Sequence, residues 1–343
     1  MPDVLMEMGI DVRLRHLALP FAAAAALLVL ALSPGLLRPR LAAAFEELAS
    51  ANAPWLWLAA LLFAVGLAGA AAAWRSALAR CGGETTLGDA CARYCVGSGV
   101  NALAPARLGT AVRFALFAQV LPGRARLWTT GGVAASVGAA RSLWTALLIA
   151  FAAASGVVPW WPVAVLACVA AAAVAVGVAA RGRTPSNRLA HALDAFRALG
   201  HSPRAAAALV GWMGVATAAR VGAAAGIAAA FGVTNPLAAG LLVIPALDLA
   251  GLLPLTPGNV GVASAAVAFA LGAHGAGADV ALAAGIAFSA VETLTSIACG
   301  IGGLLVLAGT ASGARRSTAA AAGTTACLGL GVAFGATVLA PLV

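Results

Sequence analysis

The chain has 343 residues, of which 63% are hydrophobic and only 9% charged, and its mean hydropathy is strongly positive. A soluble domain of this length needs far more charge to cover its surface, and the apolar content is too high for disorder. The formal charge of +9 comes from Arg alone, spread along short segments between apolar stretches. That is the positive-inside pattern with attraction to anionic lipid, not a nucleic-acid footprint.

The expected fold is all-α: one integral membrane domain, a polytopic transmembrane helix bundle. In chain order, spans are predicted at about 17–37, 54–74, 127–154, 163–180, 205–231, 279–308 and 317–340. The first is read as a retained span, because no small-residue cleavage pattern follows a short apolar core. Arg38 to Ala53 reads as an interfacial amphipathic stretch, and Trp55, Trp57 and Trp74 stand near the ends of the second span as an aromatic belt. Two further apolar segments, about 90–121 and 236–271, are interrupted. The first carries Asn101, Pro105, Arg107, Gly109 and Arg113; the second carries Pro254, Pro257, Gly258, Asn259 and Gly261. A lipid-facing helix does not tolerate such sets, whereas backbone buried in protein or lining a watery cavity does.

Charge sets the topology. Arg13 and Arg15, Arg75 and Arg80, Arg124 and Arg126, the loop from Arg181 to Arg204, and Arg315 and Arg316 are placed inside. This requires each interrupted segment to enter and leave on one side. They become two re-entrant hairpins, from opposite faces, in an inverted-repeat arrangement; full crossings are the alternative.

The two segments resemble each other. Each has Pro-x-x-x-Gly, Pro105 with Gly109 and Pro254 with Gly258, followed by a helix of small and apolar residues. Pro removes a backbone donor and Gly permits a tight turn, so unwound backbone is offered to a ligand. A helix restarting after the break points its positive end at the gap, which suits an anionic headgroup. Transporters build midplane sites from such paired, discontinuous helices.

With Asn101, Pro105, Arg107, Gly109 and Arg113 in the first segment, and Pro254, Pro257, Gly258, Asn259 and Gly261 in the second, the chain resembles the lysylphosphatidylglycerol synthase transmembrane-region family. Members of that family are described as flippase-like. Arg141 fits an Arg familiar in the helix after the first motif, and the resemblance runs from about Trp55 to Leu307. The chain departs from the pattern at Thr110, where an acidic residue is common, at Asn259 for a second Gly, at Ala263 and Ser264, and at Glu292, which stands where a basic residue is common. The best-known relatives add a soluble aminoacyl-transferase domain after the spans; none is legible here, and the synthase reaction is not assigned.

Ionisable groups at membrane depth cost several kcal/mol unless paired or hydrated, which makes each a functional candidate. Arg107 and Arg113 flank the first break and have the geometry to hold a lipid phosphate bidentately, or to snorkel to the surface. Arg141 lies about 14 residues into its span, too deep for easy snorkelling. Asp248 and Glu292 are the natural partners of Arg141 and Arg220, as pathway groups or as purely structural ion pairs. Asn101 and Asn259 are candidates to cap the broken helices or to meet a headgroup.

No cofactor or metal is expected. Cys91 and Cys95 lie four apart with no His nearby and read as small apolar fillers. The four His fall in loops or at ends, no catalytic triad is legible, and no Gly-rich phosphate loop with Lys exists, so the chain is read as a non-enzyme. The leading expectation is a flippase-like protein of the bacterial cytoplasmic membrane, translocating or handling anionic or glycosylated lipids. Its binding set would be Asn101, Pro105, Arg107, Gly109, Arg113, Arg141, Asp248, Pro254, Pro257, Gly258, Asn259, Gly261 and Glu292. The alternatives are a non-catalytic scaffold for a lipid- or glycan-synthesis enzyme, with that enzyme as partner, and a small-solute transporter.

Overall fold

A computed structural model describes residues 43–44, 46–103, 108–123, 125–154, 156, 160, 163–164, 168, 201–251 and 260–309. The predicted spans at 17–37 and 317–340, nearly all of 163–180, and the arginine loop up to residue 200 lie outside them. Among the described residues every regular element is a helix. A bilayer leaves no water for backbone N–H and C=O groups, and the helix satisfies them within one segment.

Among the described residues, eight of the helices matter for the site, in order: α1 Ala53–Ala79, α2 Leu87–Leu103, α3 Leu108–Ala118, α4 Arg126–Ala154, α5 Pro203–Ala230, α6 Pro236–Ala250, α7 Val260–Ala273 and α8 Ala278–Gly309. α1, α4, α5 and α8 are long and apolar enough to cross a membrane. α1, α5 and α6 each start with Pro in the first turn, where its missing N–H has no intrahelical partner to lose. The two interrupted segments give α2 with α3 and α6 with α7. At 1.5 Å per residue these four reach only about 17–26 Å, short of a hydrocarbon core of roughly 30 Å.

Contacts at small residues fix the helix directions. A Cβ on Gly69 would lie 3.0 Å from the Ala216 nitrogen, and one on Gly226 would lie 3.3 Å from the Trp55 carbonyl oxygen. The Asn52 N–H donates to the Ala230 carbonyl at 3.0 Å. α1 and α5 therefore run antiparallel along their whole length, with small side chains at the contact as close membrane packing requires.

The packing is internally symmetric. If α1–α4 is exchanged for α5–α8, each packed pair in one half finds its counterpart in the other. The pair α1–α2 corresponds to α5–α6, α2–α3 to α6–α7, α3–α4 to α7–α8, and α2–α8 to α6–α4; α1–α5 maps onto itself. Because α1 and α5 are antiparallel, the halves are inverted repeats.

The core divides the same way. One cluster gathers Phe63, Ile227, Ile244, Leu271 and Phe288 around the second hairpin, with Phe63 edge-on to Phe288 at 5.1 Å. The other gathers Trp74, Phe117, Val133 and Met213 around the first hairpin, with Trp74 stacked on Phe117 at 4.8 Å. Each hairpin is thus wedged into its own apolar core, on opposite ends of the α1–α5 crossing.

Candidate functional site

Two helices meet α8 from opposite ends. Gly99 of α2 lies against Ser296, and Ala92 against Gly303, so α2 advances toward the middle of α8 from its C-terminal side. On α7, Ala268 and Ser264 lie against Gly285, and the Ser264 and Ser289 hydroxyls are hydrogen-bonded at 2.8 Å. The broken ends of both hairpins therefore converge on the level of Glu292.

The charges collect there. Asp248, near the end of α6, receives three donors from two other helices. Arg141 of α4 and Arg220 of α5 donate to one carboxylate oxygen, the latter at 3.0 Å. Thr145, one turn after Arg141, donates to the other at 2.6 Å. Glu292 completes the group, within electrostatic reach of Arg220, Arg141 and Asp248. Two guanidinium groups and two carboxylates thus share one site. The Asp248 side chain is 12% exposed and that of Arg220 23%, but Arg141 is 51% exposed. Its guanidinium can satisfy Asp248 and still present donors outward.

The first hairpin adds a third cation. Gly109, in the first turn of α3, is buried against Gly97 and Asn101, and a Cβ there would strike the Gly97 carbonyl. The motif needs Gly at this position because the two arms touch backbone to backbone. Asn101 caps α3 from across the hairpin: the Thr110 N–H donates to its side-chain oxygen at 3.1 Å, and its amide reaches the Thr110 hydroxyl at 3.4 Å. Arg113 lies over the Tyr94 ring at 3.9 Å and donates to the Ser98 hydroxyl at 2.9 Å. Its Nε is buried, with no hydrogen-bond partner among the described residues. Tyr94 is also within electrostatic reach of Arg141.

At the outer end of α2, Asp89 accepts from Thr85 at 2.6 Å and from Arg93 at 3.0 Å. Burial pushes its carboxyl up, but the bonds from Thr85 and Arg93 outweigh it and hold the group below its ordinary range. Arg93 also donates to the Leu116 carbonyl at 2.8 Å and ties the arms of the hairpin together.

Of the residues proposed from sequence, the structure brings Arg141, Asp248 and Glu292 together, and places Asn101, Gly109 and Arg113 on the adjoining hairpin. Gly261 stands exposed in the first turn of α7. Pro105, Arg107, Pro254, Pro257, Gly258 and Asn259 lie outside the described residues. Thr145, Ser98 and Tyr94 are missing from the sequence set. Nothing in their residue type marks them, since their role depends on which helices meet. Arg220 carried a signal, as an ionisable group inside a span, yet was counted only as a partner. Cys95 and Cys299 are also brought together between α2 and α8, where the Cys95 carbonyl lies against Gly300.

The family described as Lysylphosphatidylglycerol synthase TM region matches the chain over residues 17–300. No curated protein matches it.

Proposed function

The chain belongs to the lysylphosphatidylglycerol synthase TM-region family, and from that premise we propose that it translocates lipids with anionic or glycosylated headgroups. Membership makes it a multi-pass membrane protein related to lipid modification or handling, in keeping with its four long apolar helices. The finer reading rests on one observation. Arg141, half exposed, stands beside Asp248 at the level where both hairpins end.

An arginine there offers two parallel donors to a phosphate, which a lysine point charge cannot do. Asp248 holds the guanidinium in place before a lipid arrives. The headgroup then takes the outward donors of Arg141, while Arg220 and Thr145 keep Asp248 satisfied. Arg113 supplies a second positive charge from the first hairpin. The acyl tails remain in the bilayer, so only the headgroup must be sheltered from hydrocarbon.

On this reading the chain moves its lipid without transforming it, resides in the bacterial cytoplasmic membrane, needs no metal or cofactor, and has membrane lipids as its partners. The hairpins are re-entrant, each stopping near the midplane.

The test is translocation of labelled phosphatidylglycerol, a glycolipid and phosphatidylcholine in proteoliposomes. The anionic lipid and the glycolipid should move faster than phosphatidylcholine, and Arg141→Ala should slow the anionic lipid at least tenfold. An unchanged rate in Arg141→Ala would remove the headgroup role.

A further inference from the structure

The two halves of the molecule are alike in arrangement but not in closeness. Between α2 and α8 the backbones touch. A Cβ on Gly300 would lie 3.0 Å from the Gly99 Cα and 3.1 Å from the Cys95 carbonyl oxygen, and one on Gly303 would lie 2.5 Å from the Ala92 carbonyl oxygen. Those neighbours are backbone, so the seam is shut in this conformation, and Cys95 and Cys299 lie together in it. The counterpart seam, between α6 and α4, packs far less extensively. At Asp248 it is bridged by the reaching side chains of Arg141 and Thr145.

The two seams correspond residue by residue. The displacement in sequence that carries Pro105 onto Pro254 and Gly109 onto Gly258 also carries Gly99 onto Asp248. A displacement two residues longer carries Arg141 onto Glu292 and Thr145 onto Ser296. Thr145 bonds Asp248, and Ser296 lies against Gly99. The same contact therefore occurs twice, once parted and bridged by side chains, once shut on glycine.

We infer that α4–α6 and α2–α8 are two portals for one phosphate-bearing lipid headgroup, at opposite faces of the membrane, and that α2–α8 opens as α4–α6 closes. The inference rests on the lipid reading for its ligand, but its geometry comes from the packing alone. Inverted halves can exchange conformations, because the conformation one seam adopts is available to the other. The charges make the two portals unequal. Arg141 stands at the parted portal and attracts an anion. Glu292 holds the equivalent place beside the shut portal, so a headgroup meets an arginine at one portal and a carboxyl group at the other.

The native thiol pair is the probe. In full-length protein carrying Cys81→Ser, Cys91→Ser, Cys168→Ser and Cys327→Ser, the Cys95–Cys299 pair can be oxidised by copper phenanthroline in proteoliposomes. Oxidation should lower translocation of labelled phosphatidylglycerol at least tenfold, with recovery on reduction by dithiothreitol. In the reduced protein a membrane-impermeant maleimide should reach Cys299 several-fold faster with phosphatidylglycerol than with phosphatidylcholine alone. Translocation unaffected by the disulfide, or a Cys299 that the maleimide never reaches, would overturn the second portal. If maleimide reaches Cys299 while no lipid moves, the seam opens and only the lipid reading fails.

Discussion

Thr145 donates its hydroxyl to Asp248 at 2.6 Å across the junction between the inverted halves. The carboxylate is nearly buried and serves Thr145, Arg141 and Arg220 at once. Asp248→Asn should therefore be the most damaging single change in the cluster, because it leaves two cations facing a neutral amide. Losing one member of a buried pair costs about 3–5 kcal/mol, and the half-exposed Arg141 lowers that to roughly 3 kcal/mol. Arg220→Gln should cost less, and Arg141→Gln least, in the order of their exposure. Thermal unfolding in detergent ranks the three. A larger loss with Arg141→Gln than with Asp248→Asn would contradict this account of the cluster.

Gly109→Ala tests the hairpin. The new methyl would meet the Gly97 carbonyl and Asn101, all fixed by helices, so α2 and α3 must separate. Overpacking of this kind costs about 1–3 kcal/mol, and the loss of the Asn101 cap adds about 1 kcal/mol. Gly88→Ala, with nothing within 4 Å, is the control and should behave as the parent. Fluorescence-detected size exclusion after a heat step reads the difference, and equal melting of the two variants would refute the close approach.

Much of this was legible in the sequence. Uninterrupted apolar runs marked α1, α4, α5 and α8, since a bilayer allows few other solutions. Two Pro-x-x-x-Gly interruptions marked the paired hairpins, and the cost of buried charge singled out Arg141, Asp248 and Glu292. Sequence did not tell which partner Asp248 takes, because Arg141 and Arg220 sit on different helices and both reach it. Nor did it separate close-packing glycines from idle ones. Gly300 and Gly303 lie against α2, while Gly302 beside them meets nothing within 4 Å. Helical phase relative to a neighbour decides that, and composition does not record it. Cys95 looked like an apolar filler for the same reason.

Asp89 predicts a pH dependence. Its folded carboxyl lies below the ordinary value near 3.9, so its contribution is complete above that value and is lost as the pH falls through the lower folded one. Melting of the parent should hold steady from pH 7 to about 4.5 and then decline. In Asp89→Asn the acid-induced decline should be shallower, with a lower plateau at neutral pH because the carboxylate bonds from Thr85 and Arg93 are gone. The comparison is thermal unfolding in detergent from pH 3 to pH 7, and parallel curves for the two proteins would exclude the role given to Asp89.

Arg113 separates charge from shape. It stacks on Tyr94, bonds Ser98, and keeps a buried Nε without a partner among the described residues. Arg113→Lys retains the charge but loses the planar face and the fork of donors. If Arg113 holds a headgroup phosphate, phosphatidylglycerol binding should weaken about tenfold in Arg113→Lys, near the 1.4 kcal/mol of one charge-assisted bond. Tyr94→Phe keeps the ring beneath the guanidinium and should bind within about twofold of the parent, whereas Tyr94→Leu removes the cation–π contact and should weaken binding several-fold. Lipid retained through purification, quantified by native mass spectrometry, gives the order. Equal retention in Arg113→Lys and the parent would leave Arg113 a structural clamp between α2 and α3, and would place recognition on Arg141 alone.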